Sequence, residues 1–126
     1  MCIRILNQKS YQLLAAAWMV IITIASSIPN LRVANTIPET DKYVHIMIFA
    51  ILAYLLTGSI NKYIKSWKLV AQILLVVLLT TMFGFLDEWH QSIVVGRTSS
   101  QWDLLADTLG GFVGLIVFQI VHKEKI

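Results

Sequence analysis

The sequence predicts an all-α polytopic membrane protein: a four-transmembrane-helix bundle with both termini in the cytoplasm. Three observations carry this. Of the 126 residues, 57% are hydrophobic and only 13% are charged, and the mean hydropathy is +0.72. A soluble domain carries roughly 25% charged and about 45–50% apolar residues, and a chain this short cannot hide the excess in a water-solvated core. Second, four stretches reach the roughly 17–25 mostly apolar residues that cross a bilayer as helix. Third, basic and acidic residues are sorted to opposite ends of those stretches. An ordinary soluble enzyme and a disordered chain are thereby excluded. Period-two alternation is absent, and open sheets do not span lipid.

The first span is expected at about 11–28 and carries no charge. Arg4 and Lys9 precede it and Ala25-Ser26-Ser27 offers small residues, as in a signal peptide. Its apolar run exceeds the roughly 7–15 residues of a signal core, so it reads as a retained span. Pro29 and Pro38 break the chain before the second span, expected at about 43–60 with His45 as its ionisable group. The third, about 67–86, contains the unbroken apolar run Ile73 to Leu79. A connection from Asp87 to Trp102 leads to the fourth, about 104–121, which contains Asp107. One domain over 1–126 is the natural unit at this length. The single cysteine, Cys2, excludes an internal disulfide and a cysteine metal cluster. With no basic block interleaved with aromatics, nucleic-acid binding has no support.

Four spans put the N-terminus, the middle loop and the C-terminus on one side. Arg4, Lys9, Lys62, Lys65, Lys68, Lys123 and Lys125 lie there; Arg32, Lys42 and Arg97 lie opposite. The positive-inside rule therefore puts both termini in the cytoplasm. Glu39, Asp41, Asp87, Glu88, Asp103 and Asp107 all fall at the outer end, with His45 and His90; of the acids only Glu124 is inside.

That outer group supplies the candidate site. Asp41 and His45 are spaced i, i+4, so Asp41 can orient the imidazole, or simply cap the helix. Asp87 and Glu88 oppose the helix dipole at the end of the third span, so helix stability does not explain them. They suit a proton relay, a metal site, an acid/base pair or a solvated helix end. If helix continues, Asp87 shares a face with Gln91. Arg97, after Gly96, offers a fork for carboxylate or phosphate, or neutralises nearby acids. Asp107 lies one turn deeper than Asp103. A carboxylate inside a span costs roughly 2.5–3.5 kcal/mol on insertion scales, so it is expected to point into the bundle, with His45 and Arg97 as the nearest partners. Gly110-xxx-Gly114 is a small-residue pattern for close helix packing, expected within the monomer. Met47, Phe49, Met82, Phe83 and Phe118 are expected to face lipid or pack. A Ser-His-Asp arrangement has no supporting motif.

Several of these residues recur in one order: Ser27-x-Pro29, Asp41-Lys42-x-x-His45-x-x-x-Phe49-x-x-Leu52, Asp87-Glu88-x-x-Gln91, Gly96-Arg97, Asp103 and Gly110. In that order and spacing the chain resembles the VanZ-like family of small bacterial membrane proteins, from the first span to the fourth. Two positions depart from the family's usual pattern: Val95 stands where Pro is frequent, and Asp107 where Asn is. The resemblance implies a multi-pass protein of the bacterial cytoplasmic membrane. Through the founding member, it also implies a link to low-level tolerance of the glycopeptide antibiotic teicoplanin.

Three function classes follow. A non-enzymatic membrane protein would alter the cell surface or modulate an envelope partner, with Asp41, Lys42, Gln91, Arg97, Asp103 and Asp107 as a binding or structural cluster. A small membrane enzyme would act on a lipid headgroup or lipid-linked carrier, with Asp87 and Glu88 as acid/base or metal-binding groups, His45 as proton carrier and Arg97 as phosphate anchor. A proton-coupled transporter would use Asp107 and His45. That reading needs a polar path through the inner half, where Thr57, Thr80, Thr81 and Gln119 are the main candidates, and the sequence argues against it. The sequence itself specifies no metal or cofactor. Its expected partners are the bilayer and a lipid, lipid-linked or cell-wall-related ligand at the outer face.

Overall fold

The computed structural model describes residues 6–28, 40–94 and 101–123, with side chains from 42 onward in the second stretch. These residues form four helices and no strand: α1 (Gln8–Ser27), α2 (Thr40–Ile64), α3 (Leu69–Ile93) and α4 (Gln101–Lys123). All four are long and apolar enough to cross a membrane. The shortest has 20 residues and the longest 25, which at 1.5 Å per residue matches a hydrocarbon layer about 30 Å thick.

The helices overrun the apolar windows at several ends. α1 starts at Gln8 because Asn7 caps it, accepting from Ser10 N at 2.9 Å and Ser10 Oγ at 3.1 Å. α2 closes with Lys65 N bonded to Asn61 O and Trp67 N to Ile64 O, so α3 starts at Leu69 rather than at Trp67. The largest correction concerns the connection expected from Asp87 to Trp102. α3 continues through Asp87, Glu88 and Gln91 to Ile93, and α4 begins at Gln101. Asp87 and Glu88 end the hydropathy window, but no Pro or Gly stands between Leu86 and Ile93 to end the helix. Pro29, Pro38, Gly96, Arg97 and the Asp41 side chain lie outside the described residues.

Contacts define the register. α1 runs antiparallel to α2, with Gln8 Nε2 donating to Ser59 O at 3.0 Å and Trp18 Nε1 to Ile48 O at 3.0 Å. α3 runs antiparallel to α4, with Gln119 bonded to Gln72, and Thr81 to Thr108 at 3.1 Å. α2 and α4 lie parallel and make the most extensive interface. That approach depends on small residues. A Cβ at Gly110 would stand 2.6 Å from Ile46 O and 2.9 Å from Ala50 N, and one at Gly114 would overlap Ala50 O.

Membrane helices gain little from burying apolar groups, since lipid is as apolar as the interior; packing and interhelical hydrogen bonds hold them. The molecule is arranged accordingly. Leu13, Val70, Leu74, Met47, Met82 and Ile120 point outward. Phe49 and Phe118 are buried, and Phe83 packs on the cluster of Ile22, Phe49 and Leu52. Gln72, Thr57, Thr80, Asp87, Glu88, Gln91, Asp103 and Asp107 are buried. Thr57 and Thr80 spend their hydroxyls on their own helices, donating to Ala53 O at 2.7 Å and Val76 O at 2.9 Å. With Thr81 paired to Thr108 and Gln119 to Gln72 across α3 and α4, the transporter's inner-half candidates are all hydrogen-bonded within the bundle.

Candidate functional site

α1 and α3 end, and α2 and α4 begin, at the same end of the bundle. His45 is in the second turn of α2 and Asp107 in the second turn of α4, while Glu88 is about one turn before the end of α3. At 1.5 Å per residue all three stand roughly 7–9 Å inside their helix ends. Close packing at Gly110 brings position 45 against position 107. The Nδ1–H of His45 donates to Asp107 Oδ1 at 2.8 Å. The His45 ring lies nearly parallel to that of Phe49, at 9° with centroids 6.5 Å apart. Asp107 is fully buried, with 0% exposure, and its Oδ2 accepts no hydrogen bond among the described residues. Opposite it, α3 carries Gly84: a Cβ there would lie 2.8 Å from Oδ2 and 3.1 Å from the Asp107 Cβ. Glu88, one turn further along α3, completes the group. One ligating atom each from His45, Glu88 and Asp107 lies within 4.8 Å of the other two.

The neighbouring acid does something else. Successive helix residues diverge by about 100°, so Asp87 faces α1 where Glu88 faces α2 and α4. Asp87 Oδ1 accepts from Ser26 Oγ, and Asp87 Oδ2 accepts from Gln91 Nε2 at 2.8 Å. Beside this clasp, Ser27 Oγ donates to Thr23 O at 2.7 Å and so receives the Nε2–H of His90 at 2.8 Å. Both carboxylate oxygens of Asp87 are thus engaged, Oδ1 holding α1 on α3 and Oδ2 held by Gln91 of the same helix.

Of the residues singled out in the sequence, the structure gathers His45, Glu88 and Asp107 into one centre. Asp87 and Gln91 form a separate clasp. Asp103 is buried one turn above Asp107, and Lys42 is half-buried near the start of α2. Gly110 and Gly114 seat α4 on α2. Ser26, Ser27 and Gly84 were not among the candidates. A signal for Gly84 exists: Gln72, Val76, Thr80, Gly84 and Glu88 recur every four residues, one buried stripe of α3.

A cleft of about 240 Å³ opens between α2 and α4 below His45, lined by Met47, Ala50, Ile51, Tyr54, Leu55, Gly114 and Val117. Its lining is almost wholly apolar, and it faces the lipid side of the bundle.

Neither a curated protein nor a solved structure matches the chain. The VanZ/LLP1 family model matches it over residues 5–122, all four helices included, and the chain belongs to the VanZ-like family of membrane proteins.

Proposed function

We propose that this protein acts on the cell envelope at the extracytoplasmic face of the membrane. There it would engage the headgroup of a lipid or lipid-linked carrier through the His45–Glu88–Asp107 centre. The whole chain works as one membrane domain with both termini in the cytoplasm. The observation that carries the reading is the buried His45–Asp107 pair with Glu88 beside it. A histidine oriented by a carboxylate, with a second carboxylate close by, is equipped to accept and return a proton. Packing alone does not call for two buried acids in a span, where each costs insertion free energy. The apolar cleft beneath His45 fits an acyl chain of the same ligand. Asp103 and Lys42 stand toward the helix ends beyond the centre, and Arg97 is the residue proposed from the sequence to meet phosphate.

Orientation is tested with Cys2, the single cysteine. A membrane-impermeant maleimide is expected to label it only after permeabilisation; labelling of intact cells would invert the assignment. Function is tested by lipid profiling of a deletion strain complemented with wild type, Glu88→Gln or Asp107→Asn at equal expression. The deletion and both variants are expected to accumulate the same lipid or carrier species, which wild type clears. An unchanged profile would remove the chemical role. Glycopeptide susceptibility of the same strains checks the link to teicoplanin tolerance.

A further inference from the structure

We propose that His45, Glu88 and Asp107 are the protein ligands of a divalent transition-metal ion. The assignment deepens the reading above and takes its biological role from it, but metal binding itself is measured without any lipid.

The geometry comes first. Three helices each supply one ligating atom, one nitrogen and two carboxylate oxygens, all within 4.8 Å of one another. Two ligands at about 2.1 Å from an ion and at right angles are about 3.0 Å apart. The Nδ1 of His45 and Oδ1 of Asp107 already stand at 2.8 Å. Glu88 has to close by at most about 2 Å, a side-chain adjustment, to reach the same ion.

A second, independent observation is Asp107 Oδ2. It is shielded from solvent on a fully buried side chain and accepts no hydrogen bond among the described residues. Buried carboxylate oxygens are ordinarily satisfied, and an orphan one calls for a water or an ion. The glycine at 84 adds to this. Any side chain there would crowd Oδ2, so α3 leaves space for the carboxylate to lie against its backbone.

The donor set narrows the ion. An imidazole nitrogen disfavours Mg²⁺ and Ca²⁺, and the absence of thiolate from the set disfavours a soft ion, leaving the first-row divalent ions, Mn²⁺ and Zn²⁺ among them. Three protein ligands leave coordination positions open, as in catalytic rather than structural sites. An oxygen of a phosphate-bearing headgroup is the ligand such a position suits.

The test uses the full-length protein purified in detergent, stripped with chelator and reloaded with Mn²⁺, Zn²⁺ or Mg²⁺. Elemental analysis after desalting is expected to find about one Mn²⁺ or Zn²⁺ per chain and little Mg²⁺. Glu88→Gln and Asp107→Asn are each expected to weaken binding more than about tenfold, while His122→Gln, at the other end of the bundle, binds as wild type. Failure of wild type to retain any of the ions, or wild-type affinity in both carboxylate variants, overturns the site. If a variant does not elute as a single species, pulsed electron paramagnetic resonance of Mn²⁺ on the wild type decides. One coordinated imidazole nitrogen is expected, and none overturns the assignment. Metal bound in the purified protein with an unchanged lipid profile in cells would refute the envelope role alone. A changed profile with no metal bound would refute the metal alone.

Discussion

The two ends of the bundle each hold a histidine pinned between helices, and they use it in opposite ways. At the end where α1 and α3 finish, His45 meets the carboxylate of Asp107, with Glu88 beside it. At the other end, His122 Nδ1–H donates to Phe118 O at 2.9 Å, which leaves Nε2 to accept the Tyr11 hydroxyl at 3.2 Å. Both ring nitrogens are thus engaged. The ring also stacks on Phe118, with centroids 3.9 Å apart, inside a box completed by Tyr11 and Tyr54. A histidine whose two nitrogens are both satisfied by neutral groups braces the structure. A histidine set against buried carboxylates has the surroundings that the proposed proton-handling role requires. Lys62 and Lys65 line a cleft of about 300 Å³ at the His122 end. The sign of the charge thus changes between ends along with the role of the histidine.

The comparison breaks most readily at the centre. Glu88→Gln and Asp107→Asn are expected to abolish complementation in cells, whereas Tyr11→Phe keeps it. At the same time Asp107→Asn is expected to cost only about 1–2 kcal/mol of unfolding stability, since the amide oxygen still accepts from His45 and only the charge assistance of that bond is lost. Loss of fold in Asp107→Asn would make the pair a brace like its counterpart. Next in size is helix seating. Gly114→Val places side-chain atoms against Ala50 O, and overpacking of this kind costs about 1–3 kcal/mol, measured by detergent-solubilised thermal unfolding. Tyr11→Phe removes one interhelical bond at the bracing end and is expected to cost about 1 kcal/mol. The smallest effect is expected from Thr81→Val. Thr108 Oγ1 donates to Leu104 O, so only the Thr81 donation is lost, about 0.6 kcal/mol.

Much of the fold was legible because lipid imposes a simple rule: a run of about 20 apolar residues is a helix that crosses. The ends were less legible. Asp87 and Glu88 stop a hydropathy window without stopping a helix, so the reading cut α3 short by two turns. The candidate site was partly legible. Ionisable residues are scarce in a span, so His45 and Asp107 stood out for their depth. Asp87 and Glu88 looked alike as neighbours, and their division into a clasp and a centre was not visible, because it depends on which helix each faces.

The sequence by itself determined the membrane class, the four spans, the sorting of charge between ends and the family, since each depends on composition and order along the chain. Only the tertiary structure decided that Glu88 rather than Asp87 joins His45 and Asp107. It also revealed that Gly84 makes room for a buried carboxylate, and that one histidine braces while the other faces acids. The physical reason is angular. A step of one residue turns a side chain by about 100°, and whether that turn ends at a hydroxyl on α1 or at a carboxylate on α4 is settled by how the helices pack.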